Sequence, residues 1–299
     1  MAISIPAHAL RTYFRYYIRP KLLAGEPPPI RMRRGMDKLM RFMPGTLGVK
    51  THEETIAGVR TLVFSPAGKK SSAILQYNHG GGYVAGSPEG HAPFIARLAR
   101  LTGMVIYAPD YRLAPEHPFP AALDDGTAVW YALCKRFPHM KRFLGGDSAG
   151  GGLSAAICLR CKADGQALPD KLYLCSPWMD LALAGESYRR NSHRDVMGNA
   201  EVTEAAFARH YAGTHSRTEP LLSPIHGDLS GFPPTYVQVS DAEIFHSDSM
   251  TYISKARAAG VPVKEEIGHG LWHVWPLLAP VIPESRRSLR RISRWLTAD

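Results

Sequence analysis

Apolar residues along this chain come in short blocks rich in Val, Ile, Leu and Tyr, separated by longer stretches in which they recur at helical spacing. The blocks that read as strands are Thr61 to Phe64, Ala73 to Tyr77, Met104 to Tyr107, Lys141 to Leu144, Lys171 to Leu174, Thr235 to Val239 and Val263 to Ile267. Helical patterns fill the intervals at His91 to Leu101, Ala121 to Arg136, Gly151 to Ala163, Ser247 to Ala259 and Glu284 to Leu296. Strands alternating with helices predict an α/β fold, a mostly parallel central sheet with helices on both faces. In such sheets ligands and chemistry collect beyond the carboxyl ends of the strands.

Two stretches break the alternation. Residues 1 to about 50 read as basic and helical around Pro27-Pro28-Pro29, and residues from about 180 to 230 mix helix with loop. Insertions at the active-site end of a sheet naturally form a cover. The expected organisation is therefore one domain over residues 1–299, with a two-part helical cap from about 1–50 and 180–230. Met32, Met36, Leu39, Met40 and Met43 share one face of the first segment. Packing is the favoured reading of that stripe; a sharper one has one or two of these adaptable side chains touching a bound apolar group.

Composition narrows the function classes. A chain of 299 residues can bury about 75% of its unfolded surface, so it needs no disulfide or metal staple. Its four cysteines include a C-x-x-C, Cys158 to Cys161, but on a helical pattern and without the second ligand pair a zinc site needs. They read as reduced, half-buried thiols. The Arg- and Tyr-rich stretch from Met1 to Pro20 lacks the apolar core of a secretory signal, and no apolar run approaches the ~18 residues that span a membrane. A soluble, cytoplasmic protein is expected. The net charge of +10 is concentrated in Arg31, Arg33 and Arg34 and in Arg286, Arg287, Arg290, Arg291 and Arg294. Leu289, Ile292, Trp295 and Leu296 alternate with the late arginines at helical spacing, which makes those arginines the wet face of a packed helix. No nucleic-acid motif accompanies them, so no nucleic-acid partner is expected. Neither a metal-ligand cluster nor a phosphate loop is present in the sequence, and no cofactor is expected.

The chemistry lies in two loops. His79-Gly80-Gly81-Gly82-Tyr83 follows one strand block, and Gly146-Asp147-Ser148-Ala149-Gly150 joins another to a helix. A G-x-S-x-G between strand and helix is a nucleophile elbow, and an upstream H-G-G-G loop is its matching oxyanion loop. Ser148 needs a base to become nucleophilic. The order serine, acid, histidine puts that base after the last strands, at His269 or His273. The acid should follow Thr235 to Val239, where Asp241, Glu243 and Asp248 are available. His79 precedes the serine and reads as a brace for the glycine loop. Asp147 reads as a backbone anchor. The proline-rich run Asp110 to Ala122 reads as a stiff support, with Arg112 and Glu116 fixing it through charged hydrogen bonds.

With these loops, the run Asp110 to Ala122 and Ser176-Pro177-Trp178-Met179-Asp180, the chain resembles the bacterial hormone-sensitive-lipase-like esterases of the α/β-hydrolase fold, GDSAG branch, from about residue 60 onward. The resemblance implies backbone donors to an oxyanion at Gly81, Gly82 and Ala149. It favours His273, in the H-V-W run His273-Val274-Trp275, over His269 in the H-G-F-like His269-Gly270-Leu271. It favours Glu243 as acid, 30 residues before His273. Asp241 lies 28 residues before His269, and that combination stays open. The implied function is a serine carboxylesterase that hydrolyses short- to medium-chain esters through an acyl-enzyme. Alternatives are a lactone or amide hydrolase with the same triad, such as a monoterpene lactone hydrolase or a deacetylase, and a non-catalytic ligand receptor on the same fold. The partner would be a small-molecule ester. Homodimers are frequent in the family, so a homodimer stays open too.

Overall fold

Eight strands form one sheet in the computed structural model, which describes residues 3–23, 33, 47–68, 71–279 and 281–298. They are β1 (Val49–Ile56), β2 (Val59–Pro66), β3 (Ala73–Asn78), β4 (Val105–Pro109), β5 (Lys141–Asp147), β6 (Lys171–Cys175), β7 (Thr235–Ser240) and β8 (Val263–Gly268). Their spatial order is β1-β2-β4-β3-β5-β6-β7-β8. β2 runs antiparallel to both β1 and β4, and every other neighbouring pair is parallel. All seven strand blocks read from the sequence are present. β1 is an addition: its burial alternates with nothing, because Lys50 to Thr55 sit on an edge wetted on both sides. It is joined to β2 by Ala57-Gly58, both at positive φ (50° and 83°), the conformation that matches a hairpin to strand twist.

The helices are α1 (Ile5–Tyr13), continued through a π-helical turn at Phe14–Ile18 into α2 (Arg19–Leu23), then α3 (Pro88–Thr102), α4 (Ala121–Arg136) and α5 (Ala149–Ala163). The short helices α6 (Glu186–Arg190), α7 (Ala200–Thr203) and α8 (Arg209–Ala212) lie in the long connection between β6 and β7. α9 (His246–Ala258) and α10 (Pro283–Thr297) complete the set. In the two segments where a cap is expected, residues 1–50 and 180–230, the described residues hold α1, α2 and these short helices. The methionine stripe, Pro27 to Pro29, Arg31 and Arg34 lie outside the described residues.

Alternation along the central strands supplies two cores. Leu144, Leu172, Leu174 and Val237 pack with Leu153 and Ile157 of α5 and Tyr252 and Ile253 of α9. Phe143, Tyr173 and Tyr236 point the other way, among Phe94 and Leu98 of α3 and Leu289, Ile292 and Leu296 of α10. On α10 the five late arginines are exposed, as a helix packed by one face requires. Burying each of its three aliphatic anchors is worth about 1.5–3 kcal/mol. The cysteines depart from the expected half-burial: Cys158, Cys161 and Cys175 are fully buried free thiols, and Cys134 is partly so. Cys158 lies where α5 is covered all round, from Ala149 to Leu159, Cys161 lies on a buried position of the same helix, and Cys175 ends the central strand β6.

The order of the central strands locates the site. β4 and β5 flank β3, so the helix after β3 (α3) and the helix after β5 (α5) lie on opposite faces of the sheet. A crevice opens at such a switch point, beyond the carboxyl ends of the two strands. Here it falls between Asn78 and Gly146, which are paired across β3 and β5.

Candidate active site

Ser148 stands at that crevice on a backbone turn with φ 53° and ψ −123°, a conformation costly for any residue with a Cβ. The turn exists because neighbouring chain leaves no room for side chains. A Cβ on Gly146 would meet the Asn78 carbonyl oxygen at 2.3 Å, and one on Gly150 would meet it at 2.1 Å. The Ser148 amide donates to the Cys175 carbonyl at 2.8 Å, while its carbonyl accepts from Gly151 and Trp178 at 3.0 Å each. Tyr83, Ser176 and Val274 also have positive φ (61°, 46° and 52°). With Ser148 they make four of the six described non-glycine residues in that region, and all four surround the crevice. Backbone strain is thus concentrated where the chemistry is expected.

Acid and base candidates arrive on parallel neighbours. Ser240 of β7 pairs with Gly268 of β8, so the two following loops leave the sheet side by side and make two rungs. On the outer rung His269 Nδ1 lies 3.1 Å from Asp241 Oδ2, and Gly270 N donates to Asp241 Oδ1 at 2.8 Å. On the inner rung His273 Nδ1 lies 3.3 Å from Glu243 Oε2, and His273 Nε2 lies 2.9 Å from Ser148 Oγ. Glu243 is fully buried and His273 largely so, whereas the His269 side chain is 68% exposed. The structure therefore brings Ser148, His273 and Glu243 together and keeps Asp241 and His269 as a separate surface pair. Asp248 is elsewhere: its Oδ2 accepts Met179 N, Asp180 N and the Tyr188 hydroxyl at 2.9, 3.0 and 2.8 Å. Burial pushes that carboxyl up to about 8.

Burial disfavours charge on His273, but the hydrogen bond to Glu243 and the charges of Glu243, Asp195 and Asp147 hold the imidazole above its ordinary value. A neighbouring carboxylate that favours the charged imidazole makes it a better proton acceptor. Ser176 ties the rung together. Its hydroxyl donates to Glu243 Oε2 at 2.9 Å and accepts from Val274 N at 3.1 Å, so one side chain spans the acid and the base loop.

The glycine loop is braced from beneath. Tyr111 stacks on the His79 ring (centroids 4.2 Å apart, planes 9° apart), and its hydroxyl donates to the His79 carbonyl at 2.7 Å. His79 Nδ1–H donates to the Gly80 carbonyl at 2.8 Å. Burial, with His91 nearby, lowers the His79 imidazole to about 3, so it is neutral and serves as a brace. Asp147 Oδ1 accepts from Gly80 N at 3.2 Å and from the Tyr77 hydroxyl at 2.8 Å. Burial opposes the Asp147 charge, yet His91 and Tyr77 keep the carboxyl below its ordinary value. Gly81 (φ 123°) and Gly82 (φ 64°) turn over this brace, and a Cβ on Gly81 would strike the Ala85 carbonyl at 2.1 Å. Ala149 begins α5, whose free N-terminal amides favour negative charge. On the support loop Arg112 pairs with Asp125 at 2.8 Å. Glu116 pairs with Arg33 at 2.7 Å, and Arg33 Nε also donates to the Val84 carbonyl at 2.7 Å.

The sequence profile of the α/β hydrolase fold matches residues 75–277. The chain superposes on the crystal structure of an esterase from the bacterial hormone-sensitive lipase family with a TM-score of 0.92, at 33% identity over 99% of both chains. The chain belongs to this family. It is similar to EstE5, studied in a crystal soaked with p-nitrophenyl butyrate, at 30% identity over 98% of both chains and a TM-score of 0.92. It is also 36% identical over 246 residues to an acetyl-hydrolase of Streptomyces hygroscopicus, 82% of each chain.

Within this hormone-sensitive lipase framework, three side chains at the site carried no role in the sequence. Ser176 was visible in a motif, but its link to Glu243 spans 67 residues. Asn191 Nδ2 donates to the Glu243 carbonyl at 2.8 Å, and Asp195 Oδ2 accepts from Ile244 N at 2.9 Å. Nothing in the local pattern of residues 180–230 marks either of them.

Proposed function

We propose that this chain is a serine carboxylic ester hydrolase acting on short- to medium-chain esters, with Ser148 as nucleophile, His273 as base and Glu243 as acid. The observation that carries the reading is the unbroken contact from Glu243 through His273 to a serine held on a strained elbow. His273 Nε2 takes the Ser148 proton as Oγ bonds to the ester carbonyl carbon. The carbonyl oxygen becomes an oxyanion, received by the amides of Gly81, Gly82 and Ala149. Each such donor is worth about 3 kcal/mol in the transition state. Collapse of the intermediate breaks the bond to the alcohol oxygen, which leaves with the proton from His273. Water, deprotonated by the same imidazole, then attacks the acyl-enzyme and releases the carboxylic acid. Glu243 holds the tautomer and stabilises the imidazolium, and its 3.3 Å contact contracts as charge forms.

The acetyl-hydrolase relative supports a short acyl group. α1, α2 and the connection bearing α6 to α8 form the cap in this reading, supported by Phe207, whose ring fills the space beside Gly82. The four free thiols support a cytoplasmic enzyme, and no described helix is long and apolar enough to cross a membrane. A homodimer remains the assembly to test by sedimentation. Catalytic efficiency across linear p-nitrophenyl esters, lactones and anilides tests the substrate class. The linear esters of short acids are expected to exceed lactones and anilides by about tenfold or more. A lactone or anilide turned over faster than every linear ester contradicts the reading.

A further inference from the structure

Asp195 lies between α6 and α7, is 2% exposed, and takes no part in the steps above. Both its oxygens are committed to backbone: Oδ2 accepts from Ile244 N at 2.9 Å and Oδ1 from Met197 N at 2.8 Å. Ile244 directly follows Glu243, so the first bond grips the peptide that carries the acid. The same strand of chain holds that loop a second time, since Asn191 Nδ2 donates to the Asp241 and Glu243 carbonyls at 3.1 and 2.8 Å. It is fastened from outside by Arg19 of α2, whose guanidinium donates to the Ser192 and Asp195 carbonyls at 2.6 and 2.9 Å. Neutral acceptors would hold these amides as well. A carboxylate in a buried position brings charge, and charge is costly there unless something uses it.

We propose that Asp195 is a positioning residue that fixes the Glu243 backbone and adds a second buried negative charge favouring the imidazolium of His273. The proposal rests on the reading of Ser148, His273 and Glu243 as the reacting triad. The charged groups facing His273 are Glu243 from the loop after β7, Asp195 from the β6–β7 connection and Asp147 from the end of β5. Those facing Asp195 are His273 and Glu243, with Arg19 on its carbonyl. Burial pushes the Asp195 carboxyl up to about 6, against the opposing pull of His273 and the two amides. It is therefore ionised from neutral pH upward, where a neutral imidazole can act as base.

Asp195→Asn removes the charge and leaves one acceptor. Loss of a negative charge lowers the His273 value, so the acid limb of kcat/KM on p-nitrophenyl butyrate, followed by pH-stat, should move to lower pH by about half a unit or more. Kcat at the plateau should fall about tenfold with KM changed less than about threefold, because a misplaced acid acts on the reaction rather than on binding. Asp195→Ser, smaller and also uncharged, should move the limb in the same direction. Arg19→Gln loosens the outer fastening and keeps the carboxylate, so its limb should overlay the wild type. Limbs of both Asp195 variants coincident with wild type overturn the proposal, as does an equal displacement in Arg19→Gln. A wild-type protein without ester turnover contradicts the triad reading instead, so the two failures are distinct.

Discussion

Ser148→Ala is expected to lower ester turnover by about four orders of magnitude or more while leaving the fold intact. The magnitude follows from the way such residues act as a unit: removing the nucleophile forfeits the covalent route, and only the oxyanion donors and substrate binding remain. The fold should survive because the strain at φ 53° is a backbone property that alanine shares, and because the Ser148 amide and carbonyl keep their bonds to Cys175, Gly151 and Trp178. Circular dichroism and thermal unfolding, measured beside initial rates on p-nitrophenyl butyrate, check both halves. The same experiment separates an enzyme from a receptor on this fold. A receptor would bind ligand equally well with and without the hydroxyl and would turn over nothing in either form.

Glu243→Gln should lower kcat by about a thousandfold to ten-thousandfold, and Asp241→Asn by less than about threefold. The amide would set an NH2 against His273 Nδ1 or the Ser176 hydroxyl, where both now donate to Oε2, and the imidazole would lose its tautomer and its counter-charge. Asp241 serves a different histidine at the rim, with a side chain that is 33% exposed. Asparagine there can still accept from Gly270 N through its one oxygen, loses the carboxylate facing His269, and leaves Ser148 untouched. Initial rates of the two variants at saturating substrate decide between the rungs; a collapse of Asp241→Asn with Glu243→Gln spared would move the acid to the outer one.

That choice shows where the sequence runs out. The strand blocks of β3, β5 and β6 were legible because apolar side chains face two cores, and a buried strand must be apolar on both sides. β1 was hidden because an edge strand has no such duty: Lys50, His52, Glu53 and Glu54 carry no period. The glycines around Ser148 were legible because each marks a clash that only glycine avoids. The two acid–base rungs were nearly degenerate, 28 and 30 residues apart, because adjacent parallel strands align every pair of positions beyond their ends. What separates them is depth, a property of the loop path that spacing does not encode. Ser176, Asn191 and Asp195 reach Glu243 or its neighbour from 67, 52 and 49 residues away, so only tertiary structure joins them.

The central claim is that one imidazole activates the Ser148 hydroxyl while amides of the glycine loop and α5 receive the resulting charge. A crystal structure of the protein inactivated by a p-nitrophenyl alkylphosphonate tests it directly, since the phosphonyl oxygen stands where the oxyanion forms. The account predicts a bond from phosphorus to Ser148 Oγ, with that oxygen about 2.7–3.1 Å from the amides of Gly81, Gly82 and Ala149. Phosphorus on another residue, or an oxygen turned away from all three amides, would contradict it.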